Sequence, residues 1–373
     1  MRTVSIVGAR PQFVKLAPVC RALARHNANG GPQIEDLIVH TGQHYDPGMS
    51  DVFFEELDIP RAGVDLGVGS GTHGAQTARM LEGIERLLLE RRPDAVVVYG
   101  DTNSTVAGAL AATKLHIRSI HVEAGLRSFN RTMPEEINRI ATDHISDLLL
   151  APTPTAMRNL ADEHLAARSV YTGDVMYDAV LHARERAQAR SQILARLGLA
   201  THGYGVATLH RAENTSAQQL RGILNVLNDV AERHLPLVFP VHPRTAKVRR
   251  EELAEWVPHP RLKMIEPLGY LDMVRLVDGA RVVLTDSGGL QKEAFFLGCP
   301  CVTLRTETEW VETVEAGGNV VAGTDGEAVL KAVSGWLAQA PRPGVGAKGG
   351  HPFGDGRAAE AIVAALTATS GGH

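Results

Sequence analysis

The chain has little cysteine, no long apolar run and no block of like charge, and each shortage removes a class of protein. Of its 373 residues only Cys20, Cys299 and Cys301 are cysteine. Cys299-Pro300-Cys301 is too tight for an ordinary disulfide or a zinc knuckle, so reduced cysteines in core positions and a cytoplasmic location are expected. No apolar stretch nears the ~18 residues of a membrane span, and the N-terminus opens on a strand-like run rather than a charged-then-apolar leader. Lys+Arg number 38 against Asp+Glu 42, a net charge of −4, so binding to nucleic acid or a membrane surface through bulk charge is disfavoured. The histidines are scattered, with no HExxH and no tight Asp/His cluster, which disfavours metal catalysis. Repeats and low-complexity segments are absent too. What remains, 44% hydrophobic and 21% charged, is ordinary for a globular protein, and the length allows two domains at ~100–200 residues each.

Short Val/Ile/Leu runs alternate with amphipathic stretches. Val4–Val7, Leu37–His40, Ala95–Tyr99, Ser119–Val122 and Leu148–Ala151 read as buried strands in the first half. Val206–Leu209, Leu237–Val241, Leu262–Ile265, Val282–Thr285 and Cys301–Leu304 do so in the second. Helices are expected over Gln12–Ala24, Ala75–Glu90, Ser104–Leu115, Glu135–Ser146 and Ala217–Glu232. This alternation predicts an α/β fold of two Rossmann-like, doubly wound domains with parallel sheets covered on both faces. The boundary falls near Tyr171–Met176, giving domains over 1–172 and 173–355. Pro341–Gly350 reads as a loop before a last helix at Gly356–Thr367.

In open parallel sheets, ligands gather at the carboxyl ends of strands, so the residues following each strand are informative. In the first half these are Gly8-Ala9-Arg10, Gly100-Asp101-Thr102 and Glu123-Ala124-Gly125-Leu126-Arg127. In the second they are His210-Arg211-Ala212-Glu213, His242-Pro243-Arg244 and Asp286-Ser287-Gly288-Gly289. Polar residues at every such end predict a cleft rich in acids and bases. The most telling stretch runs from Leu284 to Glu293, passing from an apolar strand straight into a helix. Its Ser-Gly-Gly turn lets backbone N–H groups approach a diphosphate at a helix start. Glu293, about one and a half turns further in, can accept the paired hydroxyls of a ribose. Gly69–Gly74 has the glycine spacing of a dinucleotide fingerprint, but it follows no convincing strand and reads as a loop rather than an NAD site.

Arg10 and Lys15 straddle Pro11 at a helix start and could offset charge on a departing diphosphate; the plainer alternative for Lys15 is a solvated helix residue. Asp101 and Glu123 follow consecutive strands, which are usually neighbours. Mutual repulsion there would raise one pKa and supply an acid/base pair near neutral pH. Asp101 could instead cap the helix starting near Ser104. Glu135 and Glu136 follow Pro134 at another helix start, where Glu135 either takes part in chemistry or simply complements the helix dipole. His210, at a strand end beside Arg211 and Glu213, suits proton transfer or assistance to a leaving group.

Together these motifs resemble the non-hydrolysing UDP-N-acetylglucosamine 2-epimerase family. The matching segments are Gly8–Lys15, Gly100–Ser104, His121–Arg127, Pro134–Arg139, His210–Asn214, Thr285–Glu293 and Pro352–Arg357, spanning nearly the whole chain. The resemblance implies a glycosyltransferase-B-like pair of Rossmann domains facing a cleft, with the C-terminal helix (356–373) returning to the first domain, and a homodimer. It also implies C2 inversion of a UDP-linked 2-acetamido sugar without added NAD or metal. By carry-over Arg10, Lys15, Asp101, Glu123, Glu135 and His210 would be catalytic. Arg10, His242, Ser287, Gly288, Gly289 and Glu293 would hold the UDP-sugar, with Arg211, Asn214 and Arg305 as further binding candidates.

The chemistry explains why such a site needs acids and a diphosphate cradle. C2–H has no neighbouring carbonyl to acidify it, so a carboxylate removes the proton as UDP leaves C1, giving a glycal. Re-addition with a proton delivered to the opposite face inverts the centre. Asp101, Glu123 and Glu135 are the candidates for the two faces, and the sequence does not order them. Three features depart from better-known members. Thr308-Glu309-Trp310-Val311-Glu312 replaces a usual Arg-Pro-Glu; Asp46 replaces a second Gln in the loop Thr41–Asp46, which in bacterial members binds an activating second substrate; and Gly69–Gly74 replaces a basic residue. These features look like the branch acting on UDP-2,3-diacetamido uronic acid, where substrate self-activation is not expected. Alternative readings are a GT-B glycosyltransferase, a hydrolysing UDP-GlcNAc 2-epimerase and, from another class, a non-catalytic nucleotide-sugar sensor, which would have no use for three such carboxylates.

Overall fold

A computed structural model describes residues 1–43, 59–340 and 351–368, with the backbone alone at Arg10 and Ala212. His44–Asp46 and Pro341–Gly350 therefore lie outside the described residues. The chain forms two compact units, Met1–Ala179 with Pro352–His373, and Val180–His351. The change of unit falls a few residues past the boundary read from the sequence, inside a helix.

The first unit follows the order β1 (Arg2–Val7), α1 (Arg10–Ala28), β2 (Glu35–His40), β3 (Val64–Asp65), α2 (His73–Arg91), β4 (Ala95–Tyr99), α3 (Asn103–Lys114) and β5 (Arg118–Val122). It continues through α4 (Pro134–Ile145), β6 (Leu148–Ala151), α5 (Pro154–Asp162), β7 (Ser169–Tyr171) and the start of α6 (Val175–Arg190). Its seven strands lie in the order β3-β2-β1-β4-β5-β6-β7, all parallel. Every residue of β4 and β6 is buried, as a sheet covered on both faces requires. One face packs Val4, Ile6, Val96 and Val98 against Met80, Ile84 and Leu88 of α2 and the alanines of α3, whose small side chains let that helix lie close to the sheet.

The second unit contains α7 (Ile193–Leu197), β8 (Gly205–Thr208), α8 (Ala217–Arg233), β9 (Leu237–Pro240), α9 (Pro243–Glu252), β10 (Leu262–Ile265), α10 (Tyr270–Asp278) and β11 (Val282–Thr285). Then come α11 (Gly288–Phe296), β12 (Cys301–Thr303), α12 (Val311–Glu315), β13 (Asn319–Val321) and α13 (Gly326–Leu337). Its parallel sheet runs β10-β9-β8-β11-β12-β13. Leu220, Ile223, Leu224, Leu227 and Val230 of α8 recur at helical spacing and bury against Phe239, Leu284 and Val302. The last helix, α14 (Ala358–Ala368), packs on α1 of the first unit.

In each sheet the strand order reverses direction at its centre, between β1 and β4 and between β8 and β11. Crossovers leave to opposite sides at such a point, so the loops part and a crevice opens at the carboxyl ends of those strands. The sheet order thus directs attention to the residues after β1, β4, β8 and β11. All three cysteines are free; Cys299 and Cys301 are buried and Cys20 is half-buried. Among the described residues no helix is long and apolar enough to cross a membrane.

Candidate functional site

In the first unit the reversal point is tied together by Gln12. Its side-chain oxygen accepts from the N–H groups of Gly8 and Ala9, at 2.8 and 3.0 Å, and its amide nitrogen donates to the Tyr99 carbonyl at 2.8 Å. This fixes the start of α1 against the end of β4. Lys15, one turn into α1, is buried rather than solvated and forms an ion pair with Glu123, their side chains being 10% and 5% exposed. Glu123 sits at the end of β5 with φ 73°, a left-handed backbone that a residue with a β-carbon adopts only at a cost. Strain of this kind collects at functional sites because the surroundings over-determine it.

Asp101 does not cap α3; that place belongs to Thr102. Instead its carboxylate accepts from Arg139 of α4, at 3.0 Å from Nε and 2.7 Å from Nη2. The two acids expected to perturb each other are therefore each matched to a cation, Asp101 to Arg139 and Glu123 to Lys15. Buried Glu123 and half-buried Asp101 tolerate neighbouring strand ends because each charge has its counter-ion. Lys15 is thus paired with Glu123 and is not the solvated helix residue of the plainer alternative. Glu135 is exposed on the first turn of α4, whereas its neighbour Glu136 is buried. Glu136 accepts from the N–H groups of Ser128 and Phe129 and from Arg139, each at 2.9 Å. Burial alone would raise the Glu136 carboxyl, but these donors hold it below the usual carboxylate range. Arg10 begins α1 at the same end of the sheet, and its side chain lies outside the described residues.

In the second unit Asp286, wholly buried, is the organising group. It accepts from the backbone N–H of His210 at 3.1 Å, the N–H of Arg211 at 3.0 Å and the Asn214 side chain at 3.1 Å, and lies 3.3 Å from His210 Nδ1. Burial pushes its carboxyl up, yet His210, the Arg211 N–H and Asn214 hold it below the ordinary value. The imidazole of His210, 38% exposed, is thereby braced from behind. Asn214, read as a binding residue, is committed to Asp286 and to the Leu304 carbonyl. His242 caps α9 by accepting from the Arg244 N–H at 3.2 Å, and its ring lies 5.7 Å from that of His210. Burial and the neighbouring His210 and Arg244 lower its pKa.

Ser287 caps α11, its hydroxyl accepting from the Leu290 N–H at 3.4 Å, so that Gly288 and Gly289 form the first helical turn. A β-carbon on Gly288 would overlap Glu309. That acid pairs with Arg305 at 2.8 Å and Arg211 at 3.5 Å. Arg305 is buried, and Glu293 is half-buried on α11. The turn keeps what an anion needs: backbone donors at a helix start with no side chain over them at Gly289, which is exposed.

The sequence reading named Glu136, Arg139 and Asp286 only as members of motifs, with no role of their own, and did not reach Asp143. Glu136, Arg139 and Asp143 lie at i, i+3 and i+7 on α4 and all face inward, a charged stripe where an apolar one is usual. That spacing was a visible signal. The Gly69–Gly74 segment follows the two-residue strand β3 and leads to α2 at His73, too long a connection for a tight dinucleotide turn.

Comparison with known proteins converges on one group. The family model described as UDP-N-acetylglucosamine 2-epimerase matches residues 26–367. A UDP-N-acetylglucosamine 2-epimerase homolog of Methanococcus maripaludis is 50% identical over 90% of this chain and 92% of its own. The UDP-2,3-diacetamido-2,3-dideoxy-D-glucuronate 2-epimerase of Pseudomonas aeruginosa is 48% identical over 89% of this chain and 91% of its own. The crystal structure of Methanocaldococcus jannaschii UDP-GlcNAc 2-epimerase in complex with UDP-GlcNAc and UDP superposes with a TM-score of 0.87 at 42% identity, covering 99% of this chain and all of that one. With strand-end acids, a helix-start cradle and these relatives in agreement, the chain belongs to the UDP-N-acetylglucosamine 2-epimerase family.

Proposed function

We propose that this chain inverts C2 of a UDP-linked 2-acetamido sugar without hydrolysing it. The observation that carries the reading is the set of carboxylates at the strand ends of the first unit, with buried Glu123 strained and paired to Lys15 and with Asp101 gripped by Arg139. A nucleotide-sugar sensor has no use for them. One carboxylate takes the C2 proton while the C1–O bond breaks; the C–H electrons become the C1–C2 double bond and UDP leaves with the C–O pair. Addition of the UDP oxygen back to C1, with a proton delivered to the other face of C2, completes the inversion. Asp101, Glu123 and Glu135 are the acid/base set. His210, braced by Asp286, and Arg10 stabilise the departing diphosphate, which the Ser287-Gly288-Gly289 turn and His242 hold, with Glu293 on the ribose. Arg211 and Arg305 frame that cradle through Glu309.

The preferred substrate in this reading is a modified or uronate sugar. It is supported by Glu309-Trp310 in place of the usual residues and by the similarity to the Pseudomonas enzyme. We further take the active species to be a cytoplasmic homodimer. Incubation in heavy water is the test: deuterium at C2 of recovered, still UDP-linked sugar is expected. Free sugar and UDP instead would mean hydrolysis, unaltered substrate a sensor, and faster turnover of UDP-N-acetylglucosamine than of the diacetamido-uronate would reject the substrate preference.

A further inference from the structure

His121 belongs to the motif leading into Glu123, yet nothing in the mechanism uses it. It lies on β5, fully buried, with both ring nitrogens engaged. Nε2 is 2.7 Å from the Gly100 carbonyl and Nδ1 is 2.6 Å from Asp143 Oδ1 on α4. A peptide carbonyl only accepts, so Nε2 carries a proton. The partner of Nδ1 is a carboxylate whose other oxygen already accepts from Arg127 at 2.7 Å and from the Gly125 N–H at 3.0 Å. Those two donors favour the ionised acid, which leaves the proton of the short contact on nitrogen.

We propose that His121 carries a proton on both ring nitrogens, positions the Gly100 carbonyl and places an internal cation beneath the strand-end carboxylates. Gly100 connects β4 to Asp101 with φ 64°, and a β-carbon there would lie 2.9 Å from Lys15 Nζ and 3.4 Å from Glu123 Oε2. Holding its carbonyl thus fixes the segment between the Asp101–Arg139 and Lys15–Glu123 pairs. The charged groups facing His121 are Asp143, with Arg127 beyond it and Glu163 beyond that in a bidentate pair at 2.7 and 2.8 Å. The network ends at Glu163, which also meets His144 at 3.0 Å near the surface; a ring without the Nδ1 proton would set a nitrogen lone pair against Asp143 Oδ1 at 2.6 Å. His121 is a positioning residue: it acts through Gly100 and through its field, and its part in turnover rests on the epimerase reading above.

Neutron diffraction from perdeuterated crystals of the whole protein at neutral pD tests the charge independently of any activity. Deuterium on both ring nitrogens is expected; a bare Nδ1 with deuterium on Asp143 overturns the proposal. The functional consequence is read with Asp143→Asn, which keeps the shape but takes away the carboxylate that holds the Nδ1 proton. An anion and a cation are lost together, but the ring lies between Asp143 and Gly100, so the cation is the nearer to the strand-end carboxylates. The acid limb of the kcat/KM profile should therefore move to higher pH, and kcat should fall on the order of tenfold to a hundredfold. UDP affinity should not change. A pH profile and kcat matching the unmodified protein would overturn the role assigned to the charge, while failure of both proteins to exchange C2–H would count against the epimerase reading alone.

Discussion

Asp286→Asn is the sharpest probe of the strand ends of the second unit, because it changes almost no volume and one charge. In the native protein both carboxylate oxygens are occupied: Oδ2 accepts from the N–H of Arg211 at 3.0 Å and from Asn214 at 3.1 Å, while Oδ1 takes the His210 N–H at 3.1 Å and faces His210 Nδ1 at 3.3 Å. An amide nitrogen in place of Oδ2 would set a donor against the Arg211 N–H and Asn214, whereas in place of Oδ1 it would leave the His210 N–H on Oδ2, which it also reaches at 3.1 Å. Either way every one of these bonds loses its charge assistance. Hydrogen bonds to a charged group are worth about 1.5–3 kcal/mol each against about 0.5–1.5 kcal/mol for neutral ones, so weakening three of them should cost about 3 kcal/mol. For a unit of this size that is about 10 °C in Tm. The pH dependence carries a definite sign. The Asp286 carboxyl lies below its ordinary value in the folded state. Its contribution is therefore complete above the unfolded pKa of about 3.9 and is lost as pH falls through the lower folded value. The variant's deficit should be full at neutral pH and shrink under acid. Urea unfolding across that range, with kcat measured alongside, is the assay; kcat should drop on the order of tenfold to a hundredfold as His210 loses its brace. A deficit within about 1 kcal/mol at neutral pH, with kcat unchanged, would refute the organising role given to Asp286.

Two further predictions follow from the first unit. Gly100→Ala forces a β-carbon into a left-handed backbone, costing about 1–2 kcal/mol, and places it 2.9 Å from Lys15 Nζ. Turnover should fall about tenfold or more while calorimetric UDP binding holds, and a parallel loss of UDP affinity would contradict this separation. Asp178 accepts from the N–H groups of Ala358 and Ala359 at the start of α14, and burial raises its carboxyl to about 6 against the partial relief of those bonds. Between the unfolded value of about 3.9 and the folded one the native state binds more protons, so this group's contribution to stability falls as pH rises. The cost of Asp178→Asn should accordingly be larger at about pH 5 than at about pH 7, and equal costs by urea unfolding would dismiss the reading.

Much of the first-order organisation was legible because it is local. Val96–Val98 and Leu148–Leu150 are continuous apolar runs that only a doubly covered parallel sheet accommodates, and the Ser287-Gly288-Gly289 turn announces a helix start open to an anion. The elements not named were the short edge strands β3, β7 and β13, at two or three residues each too brief to show a pattern, and the helices α5, α6, α7, α9, α10, α12 and α13. Helix limits differed by a residue or two at most starts, as where the cap fell on Thr102 instead of Asp101.

The sequence by itself determined the strands, the helices and the polar residues at each strand end, since periodicity and turn chemistry act over a few neighbouring residues. Only the tertiary structure decided which charges meet. Glu123 finds Lys15, Asp101 finds Arg139, and His210 finds Asp286 across 76 positions of chain. Such pairs form because the strand order brings distant ends together in a medium too poor in water to leave a charge alone, and no local pattern records that meeting.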